Sequence, residues 1–177
     1  AGMLARSCAS SRGLDRVARL EILSLTSEDR AKTAMYGAEA QRRALLQDGA
    51  AAGGGLDEHL ARLGMRMRVS LNQRKHVSRL AQLTQKTNQF NLTTRRYDEQ
   101  RMRQFIDAGD TLVMDFSLAD VFGDSGIVGL AIWRRLGGGR AELDTFLMSC
   151  RVIGRMAESA FLAEGLRLLA REGCTEV

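Results

Sequence analysis

Apolar residues gather in three short runs late in the chain, 111–119, 127–135 and 141–149. Each is bounded by glycine or by polar turn residues, so each reads as a strand. The connectors are a turn at Phe122-Gly-Asp-Ser-Gly126 and another at Gly137-Gly-Gly139. Earlier segments follow helical spacing. Val77, Leu80, Ala81 and Leu83 (or Thr84) form one stripe, residues 98–108 a second helix stopped by Gly109, and 56–63 a short helix. Residues 65–71 alternate apolar and charged, as a half-buried strand does. After the last run, Gly154 breaks the pattern, and a helix is predicted over 154–172, ended by Gly173. Thr175-Glu-Val177 reads as the start of another strand.

The first third is less regular. Residues 1–13 are small and polar, and 14–25 carry a weak helical pattern. Thr26-Ser27-Glu28-Asp29 is a helix-start signal, a hydroxyl cap followed by acids, so a helix is predicted over 28–48. Residues 49–55 are a glycine-rich break. The expected division is a tail and helical linker, 1–63, and a folded domain, 64–177. The expected class is α/β, a mixed, mostly antiparallel sheet flanked by helices and preceded by that linker.

Composition narrows the chemistry. The chain has 177 residues, 45% of them hydrophobic, enough for a core. Its net charge of +5 is mostly arginine, with lysine only at 32, 75 and 86. Arginine suits carboxylates and phosphates. Without interleaved aromatics it does not argue for nucleic acid. Cysteines 8, 150 and 174 have no disulfide or zinc spacing, which predicts a cytoplasmic protein without a metal site. No apolar run approaches the ~20 residues of a membrane span. Proline is absent, a feature for which we have no physical account.

The chain's candidate chemistry centres on residues 143–158, LDTFLMSCRVIGRMAE. A strand ends at Cys150, and a loop containing Arg151, Gly154 and Arg155 opens a helix. Unbonded N–H groups at such a start, with the positive end of the helix dipole, can hold a phosphate. Cys150 beside that field is either a nucleophile or an ordinary buried strand-end cysteine. The second unusual run is 85–97, QKTNQFNLTTRRY. Gln85, Lys86, Thr87, Asn88, Gln89, Asn91, Thr93, Thr94, Arg95 and Arg96 hold many amides and hydroxyls but only three charges. They either satisfy a buried loop or line a substrate cleft. His59 and His76 stand alone and read as capping or surface residues. Asp144 lies six residues along a strand from Cys150, ~20 Å, too far for a dyad. The arginine-bearing face of the 28–48 helix reads as a solvated surface or as a docking face for an acidic partner.

The order strand, helix, helix, three antiparallel strands, glycine loop, helix resembles the core of GNAT-type acyltransferases. In that family the loop after the fourth strand cradles the pyrophosphate of an acyl-CoA, with the signature Arg/Gln-x-x-Gly-x-Gly/Ala. Here Arg151-x-x-Gly154-x-Met156 departs from it at the last position, where a side chain would crowd a pyrophosphate. Three stretches together are more specific: QLTQKTNQFNLTTRRY (82–97), FGDSGIVG (122–129) and FLMSCRVIGR (146–155). They strongly resemble the C-terminal, GNAT-like domain of FkbH-like proteins, and residues 25–45 resemble the segment joining it to their phosphatase domain.

The resemblance implies an enzyme that takes a glyceryl unit from 1,3-bisphosphoglycerate and loads it onto the phosphopantetheine thiol of an acyl carrier protein in polyketide biosynthesis. Cys150 would carry the glyceryl thioester, Arg151, Gly154 and Arg155 would bind phosphate, and residues 85–96 would bind substrate. The implied partners are the carrier protein and the phosphatase domain of the same protein. The phosphopantetheine arm is a co-substrate, no cofactor is tightly bound, and magnesium belongs to the phosphatase half. No Asp-x-Asp motif of that half occurs in this sequence, so the chain is expected to be part of a longer protein. Two alternatives are an acyl-CoA-dependent GNAT enzyme and a non-catalytic carrier-docking domain.

Overall fold

Every residue from 111 to 116 is buried, although successive strand side chains point to opposite faces. Such a strand must be covered on both sides. In the computed structural model the cover comes from helices. The structure describes residues 56–177 together with Thr33, 36–42 and 44–45. Two compact units divide at Ala34 and Met35, and the second, Met35–Val177, holds the whole described fold apart from Thr33. The tail, the 14–25 pattern, the helix start at 26–29 and the 49–55 break lie outside the described residues. So do both ends of the 28–48 helix, of which 36–42 and 44–45 are helical.

The elements are α1 (Leu56–Leu63), β1 (Arg66–Leu71), α2 (Val77–Lys86), α3 (Glu99–Asp107), β2 (Thr111–Asp120), β3 (Gly123–Gly137), β4 (Arg140–Met148) and α4 (Ala157–Arg171). One-turn 3-10 helices cover Arg74–His76 and Cys150–Val152. The four strands form one antiparallel sheet in the order β1-β2-β3-β4. This is the α/β class and element order expected from the sequence.

Two hydrophobic clusters sandwich the sheet. On one face Met114, Phe116, Trp133, Phe146 and Met148 pack against Phe161 and Leu169 of α4. On the other, Val113, Leu130, Ile132 and Leu147 meet Val77, Leu80 and Leu83 of α2, and Met102, Phe105 and Ile106 of α3. Asp98 caps α3, its carboxylate accepting from the Arg101 N–H at 2.7 Å. Phe116 and Gly129 are cross-strand partners, and the Phe116 ring occupies the space where any side chain at 129 would begin.

Two boundaries differ from expectation. The 122–126 turn shrinks to two residues, because β3 starts at Gly123, paired with Asp120. Register shifts near Ser117 and a positive φ of 65° at Gly126 absorb the irregular sequence within the ladder. The last helix begins at Ala157 rather than 154. The 3-10 turn and a left-handed Met156 (φ 56°) come first. The linker is also packed onto the sheet unit: Leu63 is buried, its carbonyl accepts from the Val121 N–H, and Arg42 reaches Asp120.

β4 has unusual edge partners. Its C-terminal half is bonded by the loop after α2, with Leu92 N–H donating to Phe146 O and Met148 N–H to Phe90 O. At its other end Ala141 N–H donates to Glu176 O, and Arg140 and Glu176 make a parallel bridge. The expected strand at 175–177 therefore starts beside β4. Between these contacts, the register skips Asp144 as a bulge.

Candidate functional site

β4 delivers Cys150 to the protein surface. The strand ends when Ser149 N–H bonds Val128 O at 2.7 Å, and the chain turns through the 3-10 helix. Cys150 is exposed there, so the buried strand-end alternative does not hold. Gly154 follows in a left-handed conformation (φ 82°) that turns the backbone toward α4. Among the described residues, no N–H group from Gly154 to Ser159 finds a protein acceptor. Those groups remain available to solvent or to an anion.

Cys150 borders a pocket of about 360 Å³. Its other walls are Arg79, Gln82, Leu83 and Lys86 of α2, Thr87, Asn88 and Gln89 of the following loop, and Ser149 and Arg151. Among the described residues, three cations and no carboxylate line it. Arg79 is fixed from behind, its Nε and Nη2 donating to Ile127 O at 3.1 and 3.0 Å. Burial and the nearby Arg151 charge lower the Arg79 pKa. Arg151 Nε also lies 3.3 Å from Ser149 Oγ.

A second pocket, about 440 Å³, shares part of this lining. Gln89, Cys150 and Arg151 are shared with the first, and Tyr36, Glu39, Arg42, Ser125 and Ile153 complete it. Its floor rests on a buried ion cluster. Arg42 donates to both oxygens of Asp120 at 2.6 and 2.9 Å, and Arg155 Nη1 lies 3.2 Å from Asp120 Oδ2. Glu39 lies 3.3 Å from Arg155 and 3.7 Å from Arg42. Burial raises the Asp120 pKa, but the Arg42 hydrogen bond, the Phe122 N–H and the two arginine charges outweigh it and hold the carboxyl below its ordinary value.

The sequence-predicted residues separate into two groups. Lys86, Thr87, Asn88, Gln89, Cys150 and Arg151 converge on the first pocket. The others are engaged elsewhere. Arg155 is buried, bonding Arg151 O at 2.7 Å as well as Asp120 and Glu39, so its guanidinium braces the turn and does not line the pocket. Arg96 caps α2, donating to Thr84 O and Gln85 O, and holds Asn88 Oδ1 at 2.6 Å. Asn91 bridges Thr87 O and Thr94 N–H, and Thr94 bonds Thr93 O. Thr93 Oγ1 is buried without a hydrogen-bond partner. Gln85 turns to a separate groove between α2 and α3, where it donates to Tyr97 O. Arg95 and the Tyr97 hydroxyl both donate to buried Asp144.

His76 pairs with buried Asp115 at 3.0 Å and borders neither pocket beside Cys150. His59 lies on α1, and its side chain is outside the described residues. Among the described residues no group of three or more His, Cys, Asp or Glu could hold a metal ion. Nor is any described helix long and apolar enough to cross a membrane.

Sequence reasoning missed Arg79 and Gln82. A signal was present: 79, 82, 83 and 86 share one face of a 3.6-residue helix, and three of the four are polar. The second pocket left no comparable signal, because it joins segments more than 100 residues apart.

No known family model matches this sequence, and no curated protein matches it. Among solved structures the chain is similar to the ribosomal-protein-S18-alanine N-acetyltransferase from Escherichia coli, at 14% identity and a TM-score of 0.47, covering 62% of this chain and 63% of that one. It is similar to the ribosomal-protein-alanine N-acetyltransferase from Brucella melitensis biovar Abortus 2308, at 14% identity and 0.49, covering 63% and 77%. A GNAT family acetyltransferase from Staphylococcus aureus gives 14% identity and 0.47, covering 64% and 83%. The chain thus spans less than two thirds of the first of these proteins. At these identities and scores the likenesses specify neither family, activity nor site residues.

Proposed function

We propose that this chain is an acyltransferase domain whose acyl donor carries a phosphate group. The observation that carries the reading is the pocket that exposed Cys150 shares with Arg79, Lys86 and the amides and hydroxyl of residues 87–89. Such a pocket attracts an anionic donor and stabilises the charge of its leaving group. The element order supports a GNAT-like core for that chemistry.

Two donors fit. In the first, the donor is an acyl phosphate of the 1,3-bisphosphoglycerate type. The Cys150 thiolate attacks the acyl carbon, the C–S bond forms, and phosphate leaves with the electron pair of the broken C–O bond. An acceptor thiol, the phosphopantetheine arm of an acyl carrier protein, then attacks the thioester. Cys150 leaves as thiolate and takes up the proton that the acceptor thiol loses. Exposure of Cys150 inside this pocket favours this donor. The second donor is an acyl-CoA, transferred without a covalent intermediate. The unengaged N–H groups from Gly154 to Ser159 favour it, because they could hold a pyrophosphate.

Intact-protein mass spectrometry after mixing the chain with freshly generated 1,3-bisphosphoglycerate tests the first reading. A glyceryl or phosphoglyceryl adduct on Cys150, absent from Cys150→Ala and removed by hydroxylamine, supports it. Calorimetric binding of CoA with no such adduct replaces it with the second. Neither adduct nor CoA binding, in this chain or in a longer protein containing a phosphatase domain, overturns both.

A further inference from the structure

Two of the amides that line the first Cys150 pocket have their carbonyl oxygens held by guanidiniums. Gln82 Oε1 accepts from Arg79 Nη1, and Asn88 Oδ1 accepts from Arg96 Nη2 at 2.6 Å. A guanidinium carries donors and no acceptor, so the amide atom turned toward it must be the oxygen. Both guanidiniums are anchored elsewhere as well. Arg79 donates twice to Ile127 O, and Arg96 donates to Thr84 O and Gln85 O at the end of α2. Each amide is therefore left with its NH2 group to offer a ligand. Lys86 adds an ammonium, also a donor without an acceptor. The hydroxyls of Thr87 and Ser149 and the amide of Gln89 can turn to donate. Four backbone carbonyls of the lining residues are already bonded: Thr87 O by Asn91, Ser149 O by Val152 N–H, Cys150 O by Ile153 N–H and Arg151 O by Arg155.

We infer that Gln82 and Asn88 set the specificity of this pocket, as fixed N–H donors that admit an acceptor-rich group such as a phosphate or carboxylate and turn away an ammonium. This deepens the reading above by naming what the pocket selects, and it rests on the pocket's being where the acyl donor binds. Phosphate oxygens can accept from both fixed amides and from Lys86. An ammonium meets N–H hydrogens of like partial charge, and reaching either amide oxygen brings it against a guanidinium. An amide free to rotate would serve both ligands, because it can present either end. The selectivity therefore comes from the arginine contacts and not from the presence of amides. Arg96 is a positioning residue in this sense: it does not line the pocket and acts on it through Asn88.

A pair of thiol reagents tests this without acyl chemistry. The full chain is treated with a sulfonate-bearing and with an ammonium-bearing methanethiosulfonate of similar size, and the labelling rate of Cys150 is followed by peptide mass spectrometry. The unaltered chain should favour the sulfonate reagent, relative to a free cysteine peptide. Asn88→Ala and Gln82→Ala change no charge and lie at exposed positions, which limits damage to folding. Each should slow the sulfonate reagent about tenfold, the loss of one hydrogen bond to a charged group, and leave the ammonium reagent no slower. Arg96→Met releases the Asn88 amide, so the ammonium reagent should gain, and Asn88→Ala made in that background should no longer single out the sulfonate reagent. A mere loss of net charge would leave the Asn88→Ala effect intact, and that result would overturn the role of Arg96. If Asn88→Ala and Gln82→Ala slow neither reagent, or slow both alike, the amides are not fixed donors and the inference fails. If the sulfonate preference follows the two amides while 1,3-bisphosphoglycerate leaves no acyl group on Cys150, the specificity stands and the thioester reading fails by itself.

Discussion

Asp120 is the carboxylate on which the linker helix and the Cys150 turn both depend, and Asp120→Asn removes its charge at constant size. The side chain is almost fully buried and accepts from Arg42 Nε and Nη2, Arg155 Nη1 and Phe122 N–H. The substitution leaves two guanidiniums, each with a side chain 8% exposed, and, among the described residues, one carboxylate near them, Glu39, which is 39% exposed. Removing one partner of a buried ion pair costs about 3–5 kcal/mol. Glu39 and the Arg151 carbonyl remain, so the loss belongs at the lower end, about 3 kcal/mol, or about 6–12 °C in melting temperature for a chain of this size. Urea unfolding of both proteins at neutral pH measures it.

The pH dependence gives a second readout. The folded carboxyl is held below its ordinary value, so its stabilisation is fully present above the unfolded value of about 3.9 and is lost as pH falls through the folded value. The gap between the two proteins is therefore constant near neutrality and closes in acid. Arg42→Gln must also be non-additive with Asp120→Asn, because the two share one interaction. A stability change under about 0.5 kcal/mol, the scale of an ordinary surface substitution, would refute the reasoning.

Asp115→Asn has the opposite sign. Burial, only partly offset by His76 and Lys75, holds this carboxyl above its ordinary value, so ionising it at neutral pH costs stability. The asparagine protein should be at least as stable as the parent at pH 7, and its advantage should vanish in acid, where Asp115 is protonated, as thermal melts across that range would show. Gly129→Ala should lose about 1–3 kcal/mol or more in denaturant midpoint, because its Cβ would enter the Phe116 ring, itself packed 4.6 Å from Phe161; Phe116→Leu in the same chain should recover part of that loss. Met156→Gly should raise the melting temperature, relieving up to about 1 kcal/mol of left-handed strain. It also clears the turn where a pyrophosphate would lie, so calorimetry would show a gain in CoA affinity if CoA is the donor.

The elements were legible in the sequence because each is a local pattern. Apolar runs between glycines marked β2, β3 and β4, and the Val77–Leu83 stripe marked α2, since a buried face must repeat with the period of its backbone. Helix starts were less legible, because Met156 adopts a conformation that neither propensity nor pattern specifies. Within the candidate site, Cys150, Arg151 and residues 86–89 stood out as unusual residue types in a small space of sequence. Arg95, Arg96 and Arg155 stood out equally, yet they serve Asp144, the end of α2 and Asp120. A guanidinium that binds phosphate and one that braces a loop look alike in sequence, because the acceptor that distinguishes them is supplied by another segment.

The sequence by itself determined the order of elements, the two-sided burial of the sheet and the place of a thiol at the end of β4, all of which follow from periodicity and neighbouring residues. Only the tertiary structure decided that α2 presents Arg79 and Lys86 to Cys150, that the linker helix helps to wall a second pocket beside it, and that Asp120 ties linker to turn. These are meetings of segments about 35 to 120 residues apart. They are fixed by packing on the two faces of the sheet, and no local pattern encodes which charges that packing brings together.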